Sequence, residues 1–440
     1  MEQKFYYIKT YGCQMNVHES EKLAGMLRAL NYTECDDINK SDVIVFNTCC
    51  IRDGCEQKVF GNLGSLKKLK KQKPNLVIAI CGCLTQADGR MEYIKKRFPY
   101  VNIVFGTHNV HEFKNYLVDF NQNKKNIYDV WEKEKEIFED VEMYRTSNNN
   151  AWVNIMYGCN NFCSYCIVPF VRGRERSRNM SDIISEVKGL IAEGYKSITL
   201  LGQNVNSYGN DIADEKVTFA NLLTELANLE GDYRIKFMTS HPKDLTDEVI
   251  NTIATHEKLA KVIHLPVQSG NNKVLKEMNR KYTVEHYMGL VEKIRKQIPD
   301  CYISTDIIVG FPGETDEEFM DTYNLVKAVR YDGVFAFMFS PRTGTVAEKM
   351  ENQIDLETKK IRVNKLLALS KQITKEKVKE SLNKVYSVLI TEKIDENTFA
   401  GETESGRNVK IIASDLELLK YYNIKITNVS SNTLVGCLEK

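Results

Sequence analysis

The chain has 440 residues, of which 42% are hydrophobic and 27% are charged, and its formal net charge is +1. This composition is ordinary for a soluble globular protein, and it means that any surface for nucleic acid must be a local patch. The 12 cysteines lie in short motifs instead of being spread as in a disulfide scaffold, so we expect a reducing compartment.

We expect no targeting or membrane segment. The amino-terminal stretch lacks the shape of a signal peptide, and no apolar run approaches the roughly 18 residues that a membrane span requires. The length predicts two or three domains. The expectation is therefore a soluble, cytoplasmic protein that has no membrane partner.

Residues 4 to about 110 alternate between strand and helix patterns. Strands are predicted at 4–10, 43–46 and 76–80, and helices at 17–30, 54–72 and 86–97. Repeated β-α units predict a parallel sheet with helices on both faces.

A cysteine motif follows each of these three strands. The motifs are Tyr11-Gly-Cys-Gln-Met-Asn, Asn47-Thr-Cys-Cys-Ile-Arg and Cys81-Gly-Cys-Leu-Thr-Gln. Because the carboxyl ends of parallel strands meet at one edge of a sheet, Cys13, Cys49 and Cys83 are candidates for one metal site, called the edge site below. Physical reasoning does not separate Cys49 from Cys50 or Cys83 from Cys81, and buried, unliganded cysteines are the alternative.

Two polar stretches accompany this first domain. Residues 58–73 carry six lysines and no acid, which suits RNA phosphates but is also typical of a solvated helix face. Residues 119–150 are rich in asparagine, lysine and glutamate, and we predict a polar connector there.

Three further cysteines follow a short predicted strand at 151–156, which Gly158 ends. Cys159, Cys163 and Cys166, called the loop site below, have the spacing Cys-x3-Cys-x2-Cys. Three thiolates can bind one soft metal centre and leave a coordination position open, as a catalytic metal requires. A zinc loop is the alternative, but a closed zinc site favours a nearby fourth ligand, and neither Cys nor His occurs between Cys166 and the basic run at Arg172.

From 151 to about 350 the β-α alternation resumes, with strands predicted at 197–201, 234–238, 262–265, 303–309 and 333–337, and with helices that include 180–193 and 284–297. Together with the strand before the loop site, these units predict a partial β/α barrel. Gln203, Ser240 and Gln268 follow predicted strands and are candidate ligand contacts. A helix at 356–379 leads to short alternating runs at 384–440, which predict a small β-barrel.

These motifs, with the run Arg172-Gly-Arg-Glu-Arg-Ser-Arg, resemble the methylthiotransferases of the radical S-adenosylmethionine (SAM) superfamily over essentially the whole chain. Within that family, the stretch Gln14-Met-Asn is most similar to the group that acts on isopentenyladenosine in tRNA. The resemblance implies an α/β fold in three domains. They are a parallel-sheet domain at 1–118, a partial (β/α)6 barrel at 151–375 after the connector 119–150, and a TRAM-like RNA-binding β-barrel at 376–440.

The resemblance also implies two 4Fe-4S clusters and SAM as cofactors. One cluster lies on Cys159, Cys163 and Cys166, and its open iron binds SAM. The auxiliary cluster lies on the edge site, and the family motif is what selects Cys49 and Cys83 over their neighbours. The candidates for contacts to SAM are Gln203, Ser240, Gln268 and Arg178. The basic run itself fits either the SAM carboxylate or a tRNA phosphate, with a salt-bridged loop as the alternative.

The implied reaction replaces the hydrogen on carbon 2 of isopentenyladenosine, next to the anticodon of tRNA, with a methylthio group. That hydrogen is not acidic, so acid–base groups alone would not suffice and the cofactor must supply the difficult step. The implied partners are a tRNA anticodon stem-loop and a flavodoxin-like electron donor, and the chain is expected to be a monomer. The alternatives are a sister enzyme acting on threonylcarbamoyl-adenosine or on a ribosomal-protein aspartate, and a non-catalytic iron–sulfur or zinc protein that binds RNA.

Overall fold

A computed structural model describes residues 3–50, 54–133, 137, 143–145, 147, 149–430 and 433–439. Part of the predicted connector at 119–150 lies outside these residues, and so do Ile51 and Arg52 of the second cysteine motif. Among the described helices, none is both long enough and apolar enough to cross a membrane.

The amino-terminal part is a parallel sheet between two layers of helices. Its strands are β1 (Lys4–Thr10), β2 (Tyr32–Glu34), β3 (Val43–Thr48), β4 (Val77–Gly82), β5 (Ile103–Phe105) and β6 (Ile127–Asp129), in the spatial order β2-β1-β3-β4-β5-β6. Its helices are α1 (Gln14–Ala29), α2 (Cys55–Gln72), α3 (Cys83–Gln86), α4 (Arg90–Arg97) and α5 (Phe113–Asn123). Apolar side chains of α1 and α5 pack on one face of the sheet and those of α2 and α4 on the other.

The predicted strands at 4–10, 43–46 and 76–80 are confirmed as β1, β3 and β4, whereas β2, β5 and β6 were not predicted. These three strands have only three residues each, which is too short to show a period of two. The strand β6 and the end of α5 lie within 119–150, the range predicted to be a polar connector. The prediction of one helix at 86–97 is wrong, because the chain turns at Gly89 between α3 and α4.

The central part is a partial barrel. Its main strands are β7 (Asn150–Asn154), β10 (Ser197–Leu201), β11 (Arg234–Phe237), β12 (Val262–His264), β13 (Tyr302–Val309) and β14 (Gly333–Met338), and a short ribbon joins β8 (Met156–Tyr157) to β9 (Arg176–Ser177). The main strands are parallel and form two sheets, β7-β10-β11 and β12-β13-β14, in chain order. A parallel backbone bridge between Ile235 and Leu259 connects the two sheets. Across the described residues, β7 and β14 do not pair, so the barrel is open there. The predicted fold class is confirmed.

The helices of this part are α6 (Val168–Arg172), α7 (Met180–Ala192), α8 (Phe219–Ala227), α9 (Asp247–Thr255), α10 (Asn272–Glu277), α11 (Val284–Gln297), α12 (Asp316–Val329) and α13 (Leu356–Lys379). The helix α6 packs against Cys83 of the amino-terminal part. One continuous apolar core joins the outer face of the strands to α7, α8, α9, α11, α12 and α13. In barrels of this kind, ligand sites form at the carboxyl ends of the strands.

The carboxy-terminal part is a closed β-barrel with its own apolar core. Its strands are β15 (Val385–Asp395), β16 (Thr398–Thr403), β17 (Asn408–Ile412), β18 (Tyr421–Ser430) and β19 (Thr433–Leu438). The Tyr421 hydroxyl donates to the Lys196 carbonyl (2.8 Å), and the Lys261 amide donates to the Glu404 carbonyl (3.0 Å). Since Lys196 and Lys261 directly precede β10 and β12, the small barrel covers the end of the central barrel opposite the loop site.

Candidate functional site

The edge site lies at the carboxyl edge of the amino-terminal sheet. In the pairing of β3 with β4, Thr48 stands opposite Gly82, so Cys49 and Cys83 directly follow a matched pair of residues. Cys13 caps the amino end of α1, just after the adjacent strand β1. The sheet therefore brings together three cysteines that are far apart in sequence.

Two glycines allow the backbone to approach closely around these cysteines. At Gly12 a Cβ atom would lie 2.5 Å from Cβ of Cys49, and at Gly82 one would lie 2.3 Å from the carbonyl oxygen of Thr48. Both have positive φ angles, 110° and 98° respectively. No larger residue fits either position without moving backbone that carries a cysteine.

We expect Gly82→Ala to lower the free energy of unfolding of the amino-terminal domain by roughly 3 kcal/mol or more, because backbone strain and a steric clash combine there. Gly89→Ala is the control, since Gly89 also has a positive φ of 69° but no atom within 4 Å of the added Cβ. That substitution should cost only about 1–2 kcal/mol. Urea unfolding of the metal-free chain, followed by circular dichroism, measures both. Equal losses in the two variants would contradict the steric argument.

Asn16 connects two sides of the edge site. Its Oδ1 accepts from Sγ of Cys13 at 3.3 Å, and its Nδ2 donates to Asn47 Oδ1 (3.1 Å) and to the Thr48 carbonyl (3.0 Å). Asn16 and Asn47 are fully buried. Buried amides in such a network fix the loops after β1 and β3 relative to each other.

Arg172 reaches the edge site from the central domain. It ends α6, and its Nε lies 3.3 Å from Sγ of Cys83. Its Nη1 donates to Glu19 at 2.6 Å and its Nη2 to Oδ1 of Asn16 at 3.3 Å. The side chain is 3% exposed. For the basic run that begins at Arg172, the sequence suggested a SAM carboxylate or a tRNA phosphate as the partner, with a salt-bridged loop as the alternative. In the structure the partners of Arg172 are a thiol, a carboxylate and an amide, and its ion pair with Glu19 agrees with that alternative.

The neighbouring cysteines have different surroundings. Cys81 lies within β4 and packs in the apolar layer under α1 and α5, and burial raises its pKa well above the usual value. Cys50 packs beside Cys83 and Val171, and burial also raises its pKa. Cys81 is thus a core residue, while Cys50 borders the edge site.

The loop site is held by contacts with distant parts of the chain. The Cys159 amide donates to the Gly173 carbonyl (3.2 Å), and the Ser164 amide donates to the Met278 carbonyl (3.1 Å). At Gly158, with φ at 75°, a Cβ atom would lie 1.9 Å from the carbonyl oxygen of Arg174. Only glycine therefore fits the turn that precedes the first cysteine.

A second buried arginine donates to the loop site. Nη1 of Arg280 lies 3.4 Å from Sγ of Cys163, and its Nη2 donates to the Pro266 carbonyl at 2.9 Å. The side chain is 4% exposed, and its Nε donates to the Tyr282 hydroxyl at 3.0 Å. Arg280 was not predicted as a site residue, because it lies far from the cysteines along the chain.

Thiols of both sites are protonated in the metal-free chain. Burial raises the pKa of Cys83 to about 12, of Cys159 to about 11 and of Cys166 to about 12, so at neutral pH they would bind a metal as thiolates only by releasing their protons to solvent. Within the described residues, no group of three or more Cys, His, Asp or Glu side chains is placed to hold a metal ion. In an iron–sulfur cluster each thiolate can bind a different iron, so its ligands need not meet at one point.

Within the described residues, several of the buried polar atoms that have no hydrogen-bond partner lie at the carboxyl ends of β7, β10 and β11, the same end of the barrel as the loop site. We call these residues the strand-end cluster. They are Asn154 (Oδ1), Gln203 (Oε1), Asn204 (Oδ1), Asn206 (Nδ2), Ser240 (Oγ) and His241 (Nε2). Because buried polar atoms are nearly always paired in a folded protein, this concentration indicates a polar ligand. Burial lowers the pKa of His241 to about 2, so its ring is neutral.

The four predicted SAM contacts have different positions. Gln203 and Ser240 belong to the strand-end cluster. Gln268 follows β12 in a strained backbone conformation, with φ at 69°. Its backbone amide donates to the backbone carbonyl of Asp306 at 2.9 Å. Arg178 pairs with Glu186 at 2.8 Å and is 6% exposed, so part of its guanidinium serves to link α7 to the barrel. Contacts of these residues with SAM remain predictions.

Comparisons with known proteins agree with the fold. Residues 153–326 match the Radical SAM superfamily, and residues 5–106 match a family described as Uncharacterized protein family UPF0004. A similar solved structure is the radical S-adenosylmethionine methyltransferase TsrM from Kitasatospora setae with cobalamin and a [4Fe-4S] cluster bound, with TM-score 0.58 and 12% identity over 79% of this chain and 77% of that one. At such low identity the likeness concerns the fold alone. The central part of the chain has the fold of a radical SAM protein.

Relatives of much higher identity define the family. A tRNA-2-methylthio-N(6)-dimethylallyladenosine synthase from Clostridium beijerinckii is 50% identical over 100% of this chain and 97% of the relative. One from Thermoanaerobacter pseudethanolicus is 48% identical over 98% of this chain and 92% of the relative. The chain belongs to the family of tRNA-2-methylthio-N(6)-dimethylallyladenosine synthases.

Proposed function

We propose that this protein is a radical SAM methylthiotransferase that converts N6-isopentenyladenosine next to the anticodon of tRNA to its 2-methylthio derivative. The observation that carries the proposal is the presence of two separate three-cysteine sites in a chain that is 50% identical, over its whole length, to synthases named for this product. A sister enzyme acting on threonylcarbamoyl-adenosine or on a ribosomal protein is not favoured by these relatives.

Each three-cysteine site fits a 4Fe-4S cluster. The donors are soft thiols only, they are buried or half-buried, and each site offers three ligands, which leaves one iron open. We assign the radical SAM cluster to Cys159, Cys163 and Cys166, and the auxiliary cluster to the edge site. When bound, the two clusters and SAM would supply the one-electron chemistry and the sulfur that an unactivated C–H bond requires.

The residues of this chain bind and orient these groups. The arginines Arg172 and Arg280 each donate an N–H to one cysteine sulfur, so each site has a fixed positive charge beside its thiolates. The strand-end cluster offers both donors and acceptors where the barrel strands end. We assign it to the polar groups of SAM, because a methionyl and an adenosyl group need partners of both kinds.

We expect Gln203→Ala and Ser240→Ala each to weaken SAM binding about 3- to 10-fold, since each removes one buried hydrogen-bonding atom. The measurement is the Kd of SAM for the anaerobically reconstituted enzyme, determined by equilibrium dialysis. Gln297→Ala and Ser430→Ala are matched controls, because Gln297 is exposed at the end of α11 and Ser430 is exposed on the carboxy-terminal barrel, and they should leave the Kd unchanged. Unchanged Kd values for both site variants would remove the strand-end cluster from the SAM site.

The tRNA is proposed to contact the lysine-rich helix α2. Lys58, Lys67, Lys68 and Lys71 are exposed on it, whereas Lys70 and Lys73 donate to backbone carbonyls near the end of the helix. Four exposed cations on one helix suit phosphate contacts, and the closed carboxy-terminal barrel is assigned as a TRAM-like RNA-binding domain. The same proposal includes the domain division given above, a flavodoxin-like electron donor, a monomeric state and a cytoplasmic location.

The test in cells uses a bacterial strain that makes isopentenyladenosine but not its 2-methylthio form. Expression of this chain should restore the methylthio nucleoside in digested tRNA, as measured by liquid chromatography and mass spectrometry. Conversion of threonylcarbamoyl-adenosine instead would support the sister reaction. Expression of the folded protein with no change in any nucleoside would contradict a tRNA substrate.

A further inference from the structure

We propose that Arg172 is a positioning residue that sets the reduction potential of the auxiliary cluster, with Glu19 as its opposing charge. The inference rests on the proposed function, because it assumes a cluster on Cys13, Cys49 and Cys83. It deepens that proposal by giving a role to a side chain that comes from the other domain.

The geometry places a full positive charge in contact with one ligand. Nε of Arg172 lies 3.3 Å from Sγ of Cys83, and no more than 3% of the arginine and 5% of Glu19 are exposed. In such a dry environment charges interact strongly, and screening by salt is weak. An N–H···S hydrogen bond withdraws electron density from the sulfur, and hydrogen bonds of this kind are among the factors that set cluster potentials.

The position of Arg172 also links the two sites. It lies six residues after Cys166, a span of at most about 22 Å even if the chain were fully extended. The helix α6 between them packs Ile167 and Val171 against Cys83, and the Val171 carbonyl accepts from the Thr107 hydroxyl at 2.6 Å. One short segment therefore leaves the loop site and completes the edge site.

The two charges should act with opposite signs. A reduced cluster carries one more negative charge, so Arg172 favours reduction and the carboxylate of Glu19, 2.6 Å from Nη1, opposes it. Removing the arginine should therefore make the auxiliary cluster harder to reduce, and removing the carboxylate should make it easier to reduce. A residue with a purely structural role would not produce shifts of opposite sign.

The test is a redox titration of the full-length, reconstituted enzyme, monitored by electron paramagnetic resonance. We expect Arg172→Gln to lower the equilibrium constant for one-electron reduction of the auxiliary cluster about tenfold, or about 59 mV, and Glu19→Gln to raise it by a similar factor. The double variant should lie between the two single variants. Arg280→Gln is the matched control, because its N–H contacts Cys163, and it should shift only the cluster of the loop site.

Each outcome decides the question. If the wild-type protein binds no iron at the edge site, the proposed function fails and the inference fails with it. If iron is bound and neither single variant shifts the potential, or both shift it in the same direction, only the inference is overturned. If Arg172→Gln does not retain its cluster, Glu19→Gln alone tests the inference. An unchanged or lowered equilibrium constant for reduction of the auxiliary cluster in Glu19→Gln would then contradict it.

Discussion

The triple variant Cys159→Ala, Cys163→Ala and Cys166→Ala should lose half of the iron of the reconstituted protein and all reductive cleavage of SAM. The remaining iron should stay at the edge site, because its cysteines follow β1, β3 and β4 of the amino-terminal sheet and the substitutions leave α6, which packs against Cys83, unchanged. Iron analysis and the yield of 5′-deoxyadenosine measure the two effects.

A suitable control for this variant is Cys301→Ala, since Cys301 is a buried core residue of the central barrel. It should retain all iron and all SAM cleavage. Loss of all iron from the triple variant, with its fold intact by circular dichroism, would contradict two independent cluster sites.

The second large effect concerns the edge site. The variant Cys13→Ala, Cys49→Ala and Cys83→Ala should retain cleavage of SAM but form no methylthio product, because the auxiliary cluster is the proposed source of sulfur. The yields of 5′-deoxyadenosine and of the methylthio nucleoside, taken from the same reaction, separate the two activities.

A comparison of single variants tests the choice of ligand within this site. Cys83→Ala should reduce the iron content, whereas Cys81→Ala should not, because the side chain of Cys81 packs in the core under α1. Loss of iron from Cys81→Ala alone would exchange the roles of the two residues. Methylthio transfer by the variant that lacks Cys13, Cys49 and Cys83 would show that the sulfur does not come from the auxiliary cluster.

The sequence was sufficient to predict the elements that have a strong local pattern. The strands β1, β10 and β13 and the helices α11 and α13 have clear hydrophobic periods or polar starting residues, and each lies within about one residue of its predicted range or closer. The loop site was a candidate because its three cysteines are close together in the chain. The convergence of the cysteine motifs at the edge site was expected from the general rule that parallel strands present their carboxyl ends together, whereas the choice of Cys49 and Cys83 over Cys50 and Cys81 came from the family resemblance.

Features that depend on the packing of residues distant in the chain were not predictable. Arg172 and Cys83 are 89 residues apart and meet only because α6 docks against the amino-terminal sheet. Arg280 and Cys163 are 117 residues apart and meet through the loop after α10. Neither arginine lies in a motif that implies a thiol partner. The neutral ring of His241 is likewise a consequence of burial, which a sequence pattern does not show.

The most direct test of the account uses purified components. Isopentenyladenosine-containing tRNA is incubated anaerobically with the reconstituted enzyme, SAM and a reductant, and its nucleosides are then analysed by mass spectrometry. We predict conversion of isopentenyladenosine to its 2-methylthio form by the wild-type protein, and no conversion by either triple cysteine variant. An unchanged isopentenyladenosine peak, with both clusters present and SAM cleaved, would contradict the proposed substrate.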